Sequence, residues 1–222
     1  MRFLFAAALS LVCAAAAGAE EAYAPLRGSD AQLALGVGHL QPLREEDRDD
    51  WLPRLAISVF DAPRGRRIAL PERRMSHAIE TGYETVSILV LEARNDGWLR
   101  MPFGWVHRDA LAEATPQLEF ETWERLFTSG TISPLYFRSR VRHALRVAPS
   151  ASAPLVAWIP VNPVLYAVEL LSVEGDWARA RVSVPSDFCA EPGARKPEVR
   201  EGWIRWRDAA RGPWLWYYTR GC

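Results

Sequence analysis

The chain has 222 residues, and its 27 lysine and arginine residues balance its 27 aspartate and glutamate residues, so the formal net charge is zero. This balance gives no indication of a nucleic-acid partner, because proteins that bind nucleic acid usually carry a clear excess of basic residues. The length is enough for one large domain or for two domains of about 80 to 100 residues each.

The N-terminus has the pattern of a secretory signal peptide. Arg2 precedes an apolar run over residues 3–17, and Ala17-Gly18-Ala19 supplies a small-x-small cleavage site. A run of about 15 residues is shorter than the roughly 20 that a membrane-spanning helix needs. The sequence therefore predicts removal of residues 1–19 and a periplasmic or secreted protein with no integral membrane segment. A lipoprotein anchored on Cys13 is a weaker alternative, because no small residue immediately precedes that cysteine.

Only two cysteines remain once Cys13 has left with the signal peptide: Cys189 and Cys222. In an oxidising compartment an isolated pair is most simply a disulfide. This bridge would close a segment of about 34 residues, for which chain entropy predicts a stabilisation of about 3–4 kcal/mol. A catalytic or metal-binding thiol is the competing interpretation, and no neighbouring motif favours it.

Residues 20–54 read as an N-terminal preamble. Leu43 to Leu52 is dense in charged residues and predicts a short helix that Pro53 stops. Its acidic cluster could bind a cation, but a solvated helix face is the favoured interpretation. Gly36-Val37-Gly38 lacks the third glycine and the strand-helix context of a nucleotide-binding motif. The sequence predicts no cofactor and no metal site.

From Leu55 onward the pattern changes to short strands. They are predicted over residues 57–60, 86–91, 98–101 and 105–107. The Asp96-Gly97 pair supplies a tight turn before the third strand, and Arg108 to Leu111 predicts one turn of helix. Such strands within about 55 residues favour a small barrel or sandwich over a helical domain.

A version of this unit recurs later in the chain. An offset of 79 residues overlays Trp177 on Trp98 and Arg179 on Arg100. The second copy is interrupted by a segment from about Pro185 to Glu201, which we expect to be an exposed excursion that carries Cys189. After this copy, Pro213 to Arg220 predicts an aromatic strand. Between the copies, Leu118 to Phe127 suits either a helix or a strand.

The residues that recur also resemble a known family. Leu145-Arg146-Val147-Ala148-Pro149-Ser150 is similar to the opening strand of bacterial SH3-like (Src homology 3) domains. The family's later signature pairs Gly-Trp or Asp-Trp with Gly-Trp-Val or Gly-Trp-Ile. The two copies supply it as Gly97-Trp98 with Gly104-Trp105-Val106, and as Asp176-Trp177 with Gly202-Trp203-Ile204.

The resemblance covers roughly residues 57–111 and 143–209. It implies a mainly β fold with two small SH3-like β-barrels in tandem and short helical connections. The implied boundaries are a first barrel over 55–111, a linker over 112–142, and a second barrel over 143–222. The first copy departs from the family pattern, since Phe60 stands where the opening strand usually has arginine.

In related domains the barrel is a binding module, and many contribute to cell-wall or partner-protein recognition. A tryptophan beside an arginine on a strand face could stack on a sugar or peptide and supply a charged donor. The candidate ligand-binding residues are therefore Trp98, Arg100, Trp177, Arg179, Trp206, Trp214 and Trp216. A structural role competes at each of them. It is favoured for Trp98, Trp105, Trp177 and Trp203. An exposed platform is favoured for Trp206, Trp214 and Trp216, because strand alternation allows only part of that set to be buried.

Catalytic motifs do not emerge from the sequence. The chain has no Gly-x-Ser-x-Gly elbow, and its histidines lack metal-binding spacing. They are His39, His77, His107 and His143. We therefore expect an exported, non-catalytic envelope protein that recognises peptidoglycan or an envelope peptide. A scaffolding protein that docks through its aromatic tail and insertion is the alternative, followed by an accessory cell-wall enzyme.

Overall fold

The computed structural model describes residues 35–72, 74–82, 85–129, 134–138, 142–160, 166–186, 193–209 and 212–217. The predicted signal peptide and the two cysteines of the predicted disulfide, Cys189 and Cys222, lie outside the described residues. Both remain predictions from the sequence.

The described chain is mainly β, which confirms the coarse fold class. Its first nine strands are β1 (Gly38–Pro42), β2 (Val59–Phe60), β3 (Arg67–Ile68), β4 (Ala78–Gly82), β5 (Thr85–Val90), β6 (Glu92–Ala93), β7 (Trp98–Met101), β8 (Gly104–His107) and β9 (Leu118–Thr122). The following nine are β10 (Leu135–Phe137), β11 (His143–Arg146), β12 (Leu155–Ile159), β13 (Ala167–Glu174), β14 (Trp177–Val184), β15 (Glu198–Arg205), β16 (Arg207–Asp208), β17 (Gly212–Pro213) and β18 (Leu215–Tyr217).

The helices are short. They are α1 (Trp51–Arg54), α2 (Asp109–Glu113) and α3 (Trp123–Thr128), with 3-10 turns at Glu45–Asp47 and Arg74–His77. None of the helices in the described part of the chain is long and apolar enough to cross a membrane.

The strands form three main sheets. The central sheet has the order β4-β5-β1-β9, the first repeat sheet β3-β2-β8-β7-β6, and the second repeat sheet β12-β11-β15-β14-β13-β10-β18. Strands β16 and β17 form a separate pair. Over the described residues each of these orders is open, and no closed barrel is found.

The predicted repeat is present in the two repeat sheets. The order β3-β2-β8-β7-β6 of the first matches β12-β11-β15-β14-β13 of the second. Cross-strand pairing matches residue by residue as well. The equivalent rows are Phe60-Trp105-Arg100 in the first sheet and Arg146-Trp203-Arg179 in the second. The offset of 79 residues therefore gave the correct register for the tryptophan and arginine of each return strand.

A close backbone approach explains the glycine of each Gly-Trp signature. A Cβ atom at Gly104 would lie 2.8 Å from the carbonyl oxygen of Phe60. A Cβ atom at Gly202 would lie 2.7 Å from the carbonyl oxygen of Arg146, the equivalent residue. Real Cβ atoms do not approach backbone oxygens so closely, so both opening strands need glycine on the facing strand.

The central sheet combines segments that the sequence places in different regions. His39 of β1 pairs with Leu89 of β5 on one side and with Glu121 of β9 on the other. Residues predicted as preamble and linker thus form one sheet with the first copy. Both alternatives for residues 118–127 are realised, since β9 is followed directly by α3. The Thr122 side chain accepts a hydrogen bond from the backbone N–H of Arg125 at this helix start.

Two local predictions need correction. The helix expected from Leu43 to Leu52 is instead a 3-10 turn followed by α1, and Pro53 lies inside α1. Proline is tolerated there because the N–H groups of a first helical turn have no partner within the helix. The excursion expected up to Glu201 is shorter, because Glu198 to Glu201 belong to β15 and pair with β14. The predicted helical turn near Arg108 to Leu111 is confirmed as α2.

Two apolar clusters lie on opposite sides of the central sheet. The first core includes Leu40 and Ile88 of this sheet together with Leu99 of the first repeat sheet. The second core includes Leu89 of the central sheet, Trp123 of α3 and residues of the second repeat sheet. Because neighbouring residues of a strand point to opposite faces, the central sheet separates the two cores.

Candidate functional site

Strand β14 has one apolar side and one side that carries tryptophan and arginine. Ala178, Ala180 and Val182 are buried in the second core. Trp177 and Arg179 alternate with them and therefore lie on the opposite, outer side of the sheet. Because of this alternation, the side that carries Trp177 and Arg179 faces away from the core of the second repeat sheet.

Cross-strand pairing gathers further residues onto this outer side. Trp177 lies opposite Arg205, and Arg179 lies opposite Trp203. Arg146 follows next to Trp203 on β11. We call these five residues the Trp–Arg face. Both tryptophans are half-buried, so each remains partly accessible to solvent.

Exposed carboxylates hold several arginines at one end of the face. Arg179 lies 3.2 Å from Glu201, and Arg181 lies 2.9 Å from both Glu201 and Glu169. The hydrogen bond from Arg181 lowers the pKa of Glu201, and the same contact raises the pKa of Arg181. Exposed ion pairs contribute little to stability, so a ligand carboxylate can replace Glu201 on Arg179 at small cost.

Two other arginines are positioned by the surrounding loops. Arg146 donates a hydrogen bond of 2.7 Å to the carbonyl oxygen of Ala153. The guanidinium carbon of Arg205 lies 5.1 Å from the centre of the Trp214 ring, at cation–π distance. Trp214, a predicted site residue, therefore borders the Trp–Arg face.

The predicted exposure of Trp206 is wrong. This residue is 1% exposed, belongs to the second core, and donates its indole N–H to the carbonyl oxygen of Gly175 at 3.0 Å. It lies between β15 and β16, which belong to different sheets. The chain changes direction there, so the alternation of a continuous strand does not describe it.

Trp216 is not brought to the face either. It lies in β18, at the opposite edge of the second repeat sheet. Its ring packs edge-on against Trp123 with centroids 5.2 Å apart, and it stacks on Tyr217 at 4.8 Å. Trp216 is half-buried against the second core and acts as packing there.

The first repeat sheet has Trp98 and Arg100 in the equivalent positions, but with different surroundings. Trp98 is buried, with Phe60 at 5.4 Å and His107 at 5.3 Å in edge-on contact. Arg100 is exposed and pairs with Glu92 at 3.3 Å. The favoured structural role of Trp98 fits this packing, and the two predicted pairs differ in access to the indole.

Neighbouring residues account for this difference. Phe60 and His107 occupy the positions that Arg146 and Arg205 occupy in the second copy. Aromatic neighbours close over Trp98, whereas Trp177, which lies opposite Arg205, is half-buried. The second copy is therefore the better candidate for a binding surface.

The sequence interpretation missed three contributors to this face and one adjacent strand. Trp203 was expected to have a structural role, and Arg146 and Arg205 were not named as site residues. The register of β11, β14 and β15 brings them together. The edge strand β12 was also missed, although an apolar run of five residues between Pro154 and Pro160 marks it in the sequence.

The buried titratable groups lie elsewhere. His143 stacks on Phe137 with ring centroids 3.6 Å apart, and burial lowers its pKa to about 4. His39 lies 3.4 Å from Glu121, and this contact is the main reason that the pKa of Glu121 is lowered. Within the described ranges, no three histidine, cysteine, aspartate or glutamate residues gather as a metal site.

No protein-family model matches the chain, and no curated protein matches it.

Proposed function

We propose that the chain is an exported, non-catalytic binding protein of the bacterial envelope, and that its Trp–Arg face binds peptidoglycan or an envelope peptide. The observation that carries this proposal is the alternation of half-buried Trp177 and Trp203 with Arg179 and Arg205 on one sheet surface. In the first copy aromatic neighbours cover the equivalent Trp98, so binding is assigned to the second copy.

The chemistry of the face suits a glycopeptide. Indole rings offer flat apolar area for sugar rings or peptide side chains. Guanidinium groups donate paired hydrogen bonds to carboxylates, such as those at the ends of short peptides. Arg179 is the first candidate for this contact, because its present partner Glu201 is exposed and exchangeable.

A tandem pair of SH3-like units is part of the proposal. The matched strand order, the matched cross-strand rows and the shared glycine contact support two related units. In the resembling family such units bind cell-wall or protein ligands, which agrees with a surface of half-buried aromatic and basic side chains.

A binding role fits the electrostatics of the face better than catalysis. Glu201 is paired with Arg179 of the face, and Arg181 lowers the pKa of Glu201. A carboxylate that is ionised and already paired is a poor general acid at neutral pH. The arginines remain charged, so they serve as fixed donors rather than as proton carriers.

Retention on isolated peptidoglycan tests the proposal, with Arg179→Ala compared with Arg100→Ala. Both residues are exposed arginines in equivalent positions, each paired with one strand-borne glutamate. We expect R179A to reduce retention at low salt by about tenfold, the usual effect of losing a charge-assisted contact of about 1.4 kcal/mol. R100A should bind like the unaltered protein.

Two results would contradict this assignment. Absence of retention of the unaltered protein at low salt would remove the wall-binding function. Equal losses in R179A and R100A would place binding outside the Trp–Arg face. Circular dichroism of both variants controls for folding, which substitution of an exposed arginine should not disturb.

The alternative of docking through the aromatic tail receives less support. Leu215 and Tyr217 are buried in the second core, and Trp216 packs against Trp123. In the described part of the tail these side chains contribute to folding, which leaves little of them for a partner.

A further inference from the structure

Strand β12 forms an edge of the second repeat sheet. Over the described residues it pairs with β11 on one side only. Its other edge therefore presents backbone N–H and C=O groups that can pair with another strand. Proteins usually protect such edges with charged residues, proline or a bulge. Strand β12 contains no charged residue and no proline, and it has a bulge at Val156.

The side chains of β12 are apolar and exposed. Leu155, Val156 and Trp158 are 44%, 38% and 48% exposed. Arg146 pairs with Leu155 and Leu145 pairs with Ala157, which leaves Val156 as an extra residue in a bulge. Three large apolar side chains within five residues are thus accessible at the sheet edge.

The surrounding hairpin is basic. Residues 142–160 contain Arg142 and Arg146 but no aspartate or glutamate. The guanidinium carbon of Arg142 lies 5.2 Å from the centre of the Trp158 ring. Neither arginine has a carboxylate partner within ion-pair distance in the described structure, whereas Arg179 and Arg181 on the same sheet do.

We propose that β12 binds an extended polypeptide segment of another protein by strand addition, and that this segment carries carboxylates beside apolar side chains. Backbone hydrogen bonds along β12 supply affinity, as in other edge-strand complexes. Leu155 and Trp158 contact the apolar side chains of the partner. Arg142 and Arg146 select a partner with acidic residues, because an unpaired cation next to an apolar strand favours a carboxylate.

This interaction goes beyond the proposed wall-binding function, because it uses the backbone edge of β12 and a protein partner; of the residues that carry it, Arg146 also belongs to the Trp–Arg face. A second copy of this chain fits less well as the occupant. Antiparallel pairing of two β12 strands would bring two sets of Arg142 and Arg146 together, and like charges disfavour that arrangement. A glycan lacks the repeating amide groups that an edge strand pairs with.

A pair of synthetic peptides tests the partner's chemistry. The first is an N-acetylated, C-amidated octapeptide of alternating valine and glutamate, and the second replaces every glutamate with lysine. Fluorescence anisotropy of labelled peptides with the purified protein measures binding. We expect the glutamate peptide to bind at least tenfold more tightly than the lysine peptide, and added salt to reduce the difference.

N-methylation tests strand addition directly. In an added strand only every second peptide N–H points toward the protein. Two versions of the glutamate peptide, methylated on alternate sets of amide nitrogens, should therefore differ. The version that is methylated on the amide nitrogens facing β12 should bind at least tenfold more weakly than the other version. Equal binding of the two versions would overturn strand addition.

Trp158→Glu and Val199→Glu form the matched pair of protein variants. Both residues are exposed apolar residues of the second repeat sheet, at 48% and 50% exposure. W158E should lose peptide binding, and V199E should retain it. Equal binding by the two variants, or equal affinity for the glutamate and lysine peptides, would overturn the proposal.

The same measurements separate this edge from the Trp–Arg face. R179A should bind the glutamate peptide like the unaltered protein, while W158E should still be retained on peptidoglycan. Dimerisation that W158E abolishes, without binding of the glutamate peptide, would assign β12 to self-association and overturn the proposed partner.

Discussion

At the scale of single residues, tryptophans at equivalent positions have different roles in the two copies. Trp98 and Trp177 begin equivalent strands, yet Trp98 is buried and Trp177 is half-buried. The difference comes from their neighbours, since His107 faces Trp98 and Arg205 faces Trp177. An aromatic ring closes over an indole, whereas a guanidinium group leaves it accessible to a ligand.

Trp206 is expected to be a stability residue. Trp206→Phe removes the hydrogen bond to the Gly175 carbonyl and leaves a gap in the second core. We expect a loss of about 1–3 kcal/mol in the free energy of unfolding, measured by urea denaturation. Trp177→Phe is the control, and it should change stability by less than about 1 kcal/mol because Trp177 is half-buried. Equal losses in the two variants would contradict the assignment.

His143 is expected to make stability depend on pH. Burial lowers its pKa to about 4, from 6.5 in an unfolded chain. Between these values the unfolded state binds more protons, so stability is full above pH 6.5 and falls as the pH decreases toward 4. For one such histidine the loss from pH 7 to pH 5 is about 2 kcal/mol.

The comparison with His143→Gln isolates this contribution. Urea denaturation of both proteins at pH 7 and pH 5 gives the two differences in unfolding free energy. The variant should lose less stability over this interval, whatever its stability at pH 7. Glu121, whose pKa is lowered chiefly by His39, loses most of its contribution below pH 4.5, and both proteins share the small part that is lost by pH 5. Identical differences in the two proteins would exclude His143 as the cause.

At the scale of elements, the Gly-Trp signature is a packing requirement between two strands. Gly202 of β15 lies against the backbone of Arg146 in β11, and Gly104 of β8 lies against Phe60 in β2. The glycine thus brings the opening strand close enough for Trp203 to pair with Arg146. The repeated motif reports strand contact, and the neighbouring side chains decide whether a ligand surface results.

Gly202→Ala is expected to separate β15 from β11. The added Cβ would lie 2.7 Å from a backbone oxygen, so the strand must move. We expect a loss of about 1–3 kcal/mol in unfolding free energy and faster amide exchange in β11. Val199→Ala lies in the same strand at an exposed position and should cost less than about 0.5 kcal/mol. A loss in G202A as small as in V199A would show that no close contact exists.

Local patterns predicted the repeat and α2 well, because turns, strand alternation and the 79-residue offset are properties of neighbouring residues. The central sheet could not be predicted in this way. His39 and Gln41 in β1 look like the solvent side of a strand, yet both are buried. Their burial depends on the second core, which is built from residues far along the chain.

The candidate site shows the same limit of local patterns. The sequence supplied Trp177 and Arg179 as an i, i+2 pair on one strand. Arg146, Trp203 and Arg205 join them only through the pairing of β11, β14 and β15. Trp206 was misplaced because a change of sheet interrupts the strand alternation on which its predicted exposure depended.

At the scale of the whole molecule, the central sheet and α3 connect the two repeat units. Trp123 begins α3 next to the central sheet and donates its indole N–H to the carbonyl oxygen of Leu35 at 2.6 Å. Its ring stacks on His39 at 5.0 Å and contacts Trp216 of the second repeat sheet at 5.2 Å. Two units joined in this way should not unfold independently.

We therefore expect a single cooperative unfolding transition in which tryptophan fluorescence and far-ultraviolet circular dichroism coincide in urea. Leu99→Ala removes a fully buried side chain from the first core and should cost about 2–5 kcal/mol. Most of the described tryptophans outside the first core belong to the second unit, so fluorescence reports mainly on that unit. If the units are coupled, L99A shifts the whole transition, including this fluorescence signal, to lower urea. Two separated transitions, or a shift confined to part of the signal, would show that the units are independent. Trp123→Ala tests the connection between the units. If the units are coupled, this variant should split the single transition into two; if they are independent, it should not change how the two transitions relate.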